Sequence, residues 1–175
     1  MIGEPRIDYR GEKHYVGIRR QVPMKGMSAV VTQMFKELSA WRNYQVGLKV
    51  IGSPLLRFHV IDMRGEMDIE TGIPVAGALP EDGDVRAAVL PAGYYASLVY
   101  TGSGLSGNKA LIEWARSKEL DWDRWDSEKG DNFRARYESY LTDPNAEPRK
   151  ARWEIEVAIK LAEEHSQQLS ALLRP

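Results

Sequence analysis

Two short strings place carboxylates in strand-like surroundings, Asp68-Ile69-Glu70 and Glu154-Ile155-Glu156. Strands disfavour Glu, so its recurrence at matching points makes Glu70 and Glu156 candidate groups for binding or proton transfer, expected to face one shared hollow. Along Trp153 to Ile159, alternation puts Trp153, Ile155, Val157 and Ile159 on one face and Glu154, Glu156 and Ala158 on the other. Pairing this segment with Arg134 to Leu141, through a loop centred on Asn145 to Pro148, sets Tyr140 beside Glu154 and Glu138 beside Glu156. Ser139 and Leu141 then join Ile155 and Trp153. Arg57 and His59 similarly share a face with Asp68 and Glu70. Glu156 would either neutralise a cation or move a proton; the plainer alternative is a solvated acid on an open sheet. His59 reads as an ion-pair partner of Glu70. His14 and His165 have no metal-ligand spacing around them, and with no cysteine in the chain neither a metal nor a cofactor is expected. In Asp121 to Phe133, Trp122 and Trp125 would either stack over an aromatic or cationic guest as a lid or plug the end of the core. Trp41, Trp114 and Trp153 fall on apolar faces and are read as core.

Holding such groups in place requires a sheet with covered and uncovered faces. Met27, Val30, Val31, Met34, Phe35, Leu38 and Trp41 recur at three- and four-residue steps, which predicts a helix from Met27 to Trp41. Ala110, Leu111, Trp114 and Ala115 predict a second, from Ser106 to Leu120, entered through the glycine-rich turn Ser103 to Gly107. Strands are predicted at Ile7 to Arg20, with an interruption near Gly11, and at Leu55 to Ile61, Met67 to Val75, Val85 to Tyr100, Arg134 to Leu141 and Trp153 to Ile159, with turns at Asp62 to Glu66 and Asp143 to Arg149. His14-Tyr15-Val16-Gly17-Ile18 reads onto Tyr94-Tyr95-Ala96-Ser97-Leu98, and each string leads to a helix and then a hairpin. The order describes an α+β fold of tandem βαββ repeats: an antiparallel sheet with pseudo-twofold symmetry, two helices on one face and a ligand cleft on the other. Beyond Lys160 a last helical stretch, residues 162–175, carries His165, Leu169 and Leu172 on one side.

Composition narrows the function classes. The chain has 175 residues, 24 Lys and Arg against 25 Asp and Glu, and a formal net charge of −1. It has no overall basic field for a phosphate backbone, so direct nucleic-acid binding is not expected. No stretch approaches the roughly 20 apolar residues that span a bilayer. A cytoplasmic protein with a small-molecule partner is the expectation.

Val22-Pro23-Met24, Phe35 to Trp41, Arg57-Phe58-His59, Asp68 to Val75, Leu90-Pro91-Ala92-Gly93-Tyr94-Tyr95 and Tyr140-Leu141-Thr142-Asp143-Pro144 together resemble GyrI-like small-molecule-binding domains, over most of the chain up to about Leu161. The chain is also similar to effector domains of AraC-type and MerR-type regulators, including the BmrR type. That resemblance implies a pocket that holds lipophilic cations by a buried glutamate among aromatics. It assigns the glutamate to Glu156 and places Tyr140 and Glu138 on the preceding strand; with the residue reading above, the expected ligand contacts are Glu156, Glu70, Tyr140, Tyr137, Phe58, Trp125 and Trp122. Ile159-Lys160-Leu161 departs from the Val-Pro-Leu frequent in relatives and runs into the extra helix, expected to pack on the sheet or to mediate a homodimer. With no helix-turn-helix before Glu4, a stand-alone member is expected. Three functions follow: binding of amphipathic aromatic or cationic molecules; hydrolysis of cyclopropane-bearing, DNA-alkylating natural products, with Glu156, Glu138 and Tyr140 as catalytic groups; and a gyrase-inhibitor-like interaction through the acidic loop Asp121 to Asp131.

Overall fold

The computed structural model describes residues 1–173. Ten strands and three α-helices follow one another as β1 (Arg6–Arg10), β2 (Lys13–Pro23), α1 (Met27–Asn43), β3 (Leu55–Ile61), β4 (Glu66–Pro74), β5 (Arg86–Leu90), β6 (Gly93–Tyr100), α2 (Gly104–Ser117), β7 (Arg124–Ser127), β8 (Gly130–Phe133), β9 (Arg136–Tyr140), β10 (Ile155–Lys160) and α3 (Ser166–Leu172). The pairing order is β1-β6-β10-β9-β3-β4-β2-β5, antiparallel throughout, with the β7–β8 hairpin attached to β3. The predicted α+β repeat architecture is present, each repeat running strand, helix, hairpin.

The registers define the symmetry. Arg19 faces Glu70 in β2–β4, and Val99 faces Glu156 in β6–β10. Arg57 faces Glu70 in β3–β4, as Ser139 faces Glu156 in β9–β10. Tyr15 is thereby equivalent to Tyr95, Phe58 to Tyr140 and Leu56 to Glu138. Where the repeats meet, Leu56 pairs with Glu138. These two equivalent residues are partners, so the pseudo-twofold axis passes between them.

Both helices cover the same face. Val31, Met34 and Leu38 of α1 pack on Val16, Ile18, Ile69 and Ile73. Leu111 of α2 packs on Leu98, Ile155, Val157 and Ile159. Leu169 of α3 joins this second cluster, while Leu172 is exposed. Residues 174–175 of the expected last helix lie outside the described residues.

The opposite face is curled inward. Strands β5 and β6 are joined only by Pro91 and Ala92, yet six pairing steps separate them. In a flat sheet that distance would be roughly 29 Å, whereas two linking residues reach on the order of 10 Å. Bending the sheet resolves the conflict and encloses Tyr15, Leu55, Leu90, Tyr95, Tyr137 and Ala158 as a third apolar cluster.

The segment Ile7 to Arg20 is interrupted at Gly11 and Glu12, as expected, but the two strands are not neighbours in the sheet. Two further details depart from expectation. Asp121 to Phe133, read as a loop, contains the β7–β8 hairpin, turning at Glu128 and Lys129 and closed by Gly130 at φ 129°. The pairing of β9 with β10 is shifted by one residue: Tyr140 faces Ile155, Glu138 faces Val157 and Glu156 faces Ser139. Backbone bonds within Asp143–Glu147 and a 3-10 turn at Lys150–Arg152 set the length of this connection. A one-residue slip exchanges the faces, so Glu138 and Tyr140 lie on the helix side and Glu156 on the open side.

Candidate functional site

A cavity of about 380 Å³ opens between the first turns of α1 and α2, directly over the pseudo-axis. Met27 and Val31 of α1 form one wall, Leu105 and Asn108 of α2 the other, and Leu56, Phe58, Glu138 and Tyr140 the floor. Met24, Met63 and Met67 complete the apolar lining. Methionine suits such a lining because its unbranched thioether adapts to irregular shapes.

Glu138 is the carboxylate at this floor, 9% exposed. Tyr100 Oη and Asn108 Nδ2 each donate to its Oε1 at 3.0 Å. Both donors are uncharged, and among the described residues no cation lies within ion-pair distance of Glu138. The close approach of Tyr100 depends on Gly107 of α2, where a Cβ would fall 2.4 Å from the ring carbon Cδ1. Burial raises the Tyr100 and Tyr140 hydroxyls above the usual phenol range, and the Glu138 charge adds to both shifts. Both hydroxyls stay protonated, and that of Tyr100 donates to Glu138. Tyr140 is held edge-on between Phe35 at 5.5 Å and Trp153 at 6.3 Å.

Arg136, two residues before Glu138, also lines the cavity. Its Nη2 donates to Asn108 Oδ1 at 2.7 Å, and its guanidinium lies 4.8 Å from the centre of the Phe133 ring. Burial lowers its pKa, against the opposing pull of Glu138 and Asp131. A guanidinium nevertheless stays charged at neutral pH.

The other predicted carboxylates lie on the open face. Glu156, with its side chain 12% exposed, accepts from Arg10 Nη1 at 2.9 Å and from Arg6 at 3.1 Å. Arg10 also donates to Tyr137 Oη at 2.7 Å and Ser97 Oγ at 3.1 Å. Burial opposes the Arg10 charge, but the hydrogen bond to Glu156 and the surrounding negative charge outweigh it, and its pKa rises. Glu70, 5% exposed, accepts from Tyr15 and lies 2.8 Å from His59 Nε2. Arg57 donates to Tyr15 at 3.0 Å and to the carbonyls of Val89 and Arg134. Burial would raise the Glu70 pKa, but hydrogen bonds from His59 and Tyr15 reverse the shift and lower it. Gly17 leaves room for this group, since a Cβ there would approach Thr71 O to 2.3 Å and Glu70 Cγ to 3.2 Å.

The expected meeting of Glu70 and Glu156 in one hollow therefore does not occur. They border separate polar hollows, of about 710 and 360 Å³. Tyr137 belongs with Glu156, not with Tyr140. Glu138, Tyr140 and Phe58 come together in the groove between the helices. Trp122 packs against the second cluster beside Leu161, and Trp125, 43% exposed, lies 4.7 Å under the Arg134 guanidinium. Neither tryptophan lines the groove.

Arg136, Asn108 and Tyr100 were missed in the sequence reading. Two of them left a signal: Arg136 shares a strand face with Glu138, and Asn108 is a polar interruption on the face of α2 that carries Leu111 and Ala115. Tyr100 had none, because an aromatic at a strand end reads as ordinary core. Asp121, Glu164 and His165 bring potential ligand atoms within 4.8 Å of one another, a grouping also unseen in the sequence. His165 Nε2 already accepts the Asp121 backbone N–H at 3.0 Å. Among the described residues no helix is long and apolar enough to cross a membrane.

Solved structures share this fold. The C-terminal domain of EcmrR superposes with a TM-score of 0.71 at 17% identity, covering 93% of this chain and 99% of that domain. A hydrolase from Listeria innocua gives 0.57 at 10%, covering 91% and 92%. SAV2435 bound to tetraphenylphosphonium gives 0.55 at 10%, covering 93% and 96%. No curated protein has a matching sequence. The sequence match that spans nearly the whole fold is to a family, over residues 3–162: the chain belongs to the GyrI-like small molecule binding domains.

Proposed function

We propose that the chain binds amphipathic aromatic molecules, lipophilic cations among them, in the groove between α1 and α2. Glu138 supplies the counter-charge, while Tyr140, Phe58 and the methionines supply apolar and π surface. The observation that carries this reading is a buried carboxylate with only neutral partners at the floor of an apolar cavity. Burying such a charge without a counter-ion is costly, and a cationic guest relieves that cost. The tetraphenylphosphonium bound to SAV2435, a protein of the same fold, agrees with this choice of guest. Calorimetric titration of tetraphenylphosphonium into wild type and Glu138→Gln tests it. The variant is expected to bind about tenfold or more weakly, while neutral triphenylphosphine oxide changes little. Equal tetraphenylphosphonium affinities for both proteins would remove Glu138 from the site.

A second reading, hydrolysis, is favoured by one observation: Tyr140, a phenol kept protonated, lines the same cavity as the Glu138 carboxylate. On a cyclopropane conjugated to a carbonyl, Glu138 would take a proton from water as its oxygen bonds to a ring carbon. The breaking ring bond would deliver its electron pair to the conjugated system, and Tyr140 would donate a hydrogen bond to the carbonyl oxygen. The ring carbon gains hydroxyl, and the proton returns to the former ring system. Excess protein incubated with such a compound should yield a product heavier by one water in mass spectrometry. Unchanged starting material would leave binding alone.

A further inference from the structure

The groove contains a positive end as well as a negative one. Arg136 lines it, yet its guanidinium makes a single hydrogen bond, to Asn108, and its buried Nε has no partner among the described residues. Leaving a guanidinium N–H such as this Nε without an acceptor away from water costs free energy. Lys150 lines the same cavity. The first turns of α1 and α2 also border it, and neither contains an acidic residue. Helix N-termini carry partial positive charge, so both favour an anion there. Against these stands one carboxylate, Glu138, linked to Arg136 only through Asn108, which donates to the first and accepts from the second. A purely cationic guest satisfies Glu138 and leaves the buried Nε of Arg136 without an acceptor.

Resting on the binding reading above, the geometry points to zwitterionic aromatic molecules as the preferred guests, with the basic group on Glu138 and a carboxylate-like group on Arg136. Asn108 marks the spacing between the two charges, so the acid and the base must sit on different parts of the guest. The carboxylate meets Arg136 and the helix N-termini, and Lys150 at the rim adds attraction.

Rhodamine B and its ethyl ester test this, because they share one aromatic cation and differ in whether the carboxylate is free. Fluorescence polarisation at neutral pH and moderate salt measures both affinities. The free acid is expected to bind wild type about tenfold more tightly than the ester, the scale of one charge-assisted hydrogen bond. Arg136→Gln should reduce that ratio to near unity, and Arg136→Lys should restore part of it. If wild type binds both dyes and favours the ester or shows no preference, the zwitterion proposal is overturned while the binding reading survives. If neither dye binds, the binding reading fails and takes the proposal with it. The wild-type ratio decides the matter even if Arg136→Gln does not fold.

Discussion

Glu70 and Glu156 occupy equivalent positions in the two repeats, and each is met by charged or strongly polar partners: His59 and Tyr15 for the first, Arg10 and Arg6 for the second. Glu138 has no such counterpart. Its equivalent in the first repeat is Leu56, across the pseudo-axis, and its partners are uncharged. A repeated carboxylate marks a structural need that both halves share, since each half must pin its curled sheet from within. A carboxylate that breaks the repeat, placed under helices where an apolar residue would pack better, is the one with charge to spare for a guest. Proteins tend to violate their own packing rules at functional positions.

This contrast between an open face built for stability and a helix face built for binding makes measurable claims. The largest effect is expected from Arg57→Ala, which strips partners from Tyr15, Val89 O and Arg134 O in the curled interior. A loss of about 3 kcal/mol in urea unfolding is expected. A loss below about 1 kcal/mol would deny the open face its structural role.

Giving the second repeat the first repeat's residue, Glu138→Leu, should do the opposite. Tetraphenylphosphonium affinity should fall by about tenfold or more, while stability changes by no more than roughly 1 kcal/mol, because the loss of an uncompensated buried charge offsets the loss of the acceptor that Tyr100 and Asn108 share. A strongly destabilised variant would place Glu138 among the structural carboxylates.

Acid titration sharpens the distinction. The folded-state pKa of Glu70 is lowered, so the unfolded chain binds its proton more readily. The stability this contributes is present above the ordinary value of 4.5 and is lost as pH falls through the folded value. Wild type should therefore lose stability faster than Glu70→Gln below about pH 4.5, measured by urea midpoints across that range. Parallel curves would show that Glu70 gains nothing from its partners.

The smallest effect is expected at Trp125, on the exposed β7–β8 hairpin. Trp125→Ala removes its contact with Arg134 and should cost about 0.5–1 kcal/mol, with dye affinity unaltered. A clear drop in affinity would restore this hairpin as a lid.

Much of the architecture was legible because it is written in periodicity. The apolar steps from Met27 to Trp41 and the apolar residues of 106–120 locate both helices, and the Tyr15 and Tyr95 strings reveal the repeat. The β7–β8 hairpin escaped because its strands are short and polar, and its pairing with β3 is remote in sequence. The site was half legible. Glu138, Tyr140 and Phe58 were named from sequence, but grouped with Glu156 and Tyr137, which lie across the sheet.

The sequence by itself determined the alternation within each strand, the amphipathic helices and the duplicated plan, because these depend on neighbours a few residues apart. It could not determine which set of alternating residues in β9 meets which set in β10. That depends on how many residues the turn from Asp143 to Arg152 consumes, and one residue more or less sends every side chain to the opposite face. Only the tertiary structure decided that Glu138 lies under the helices with Arg136, and that Glu156 lies in the curl with Arg10.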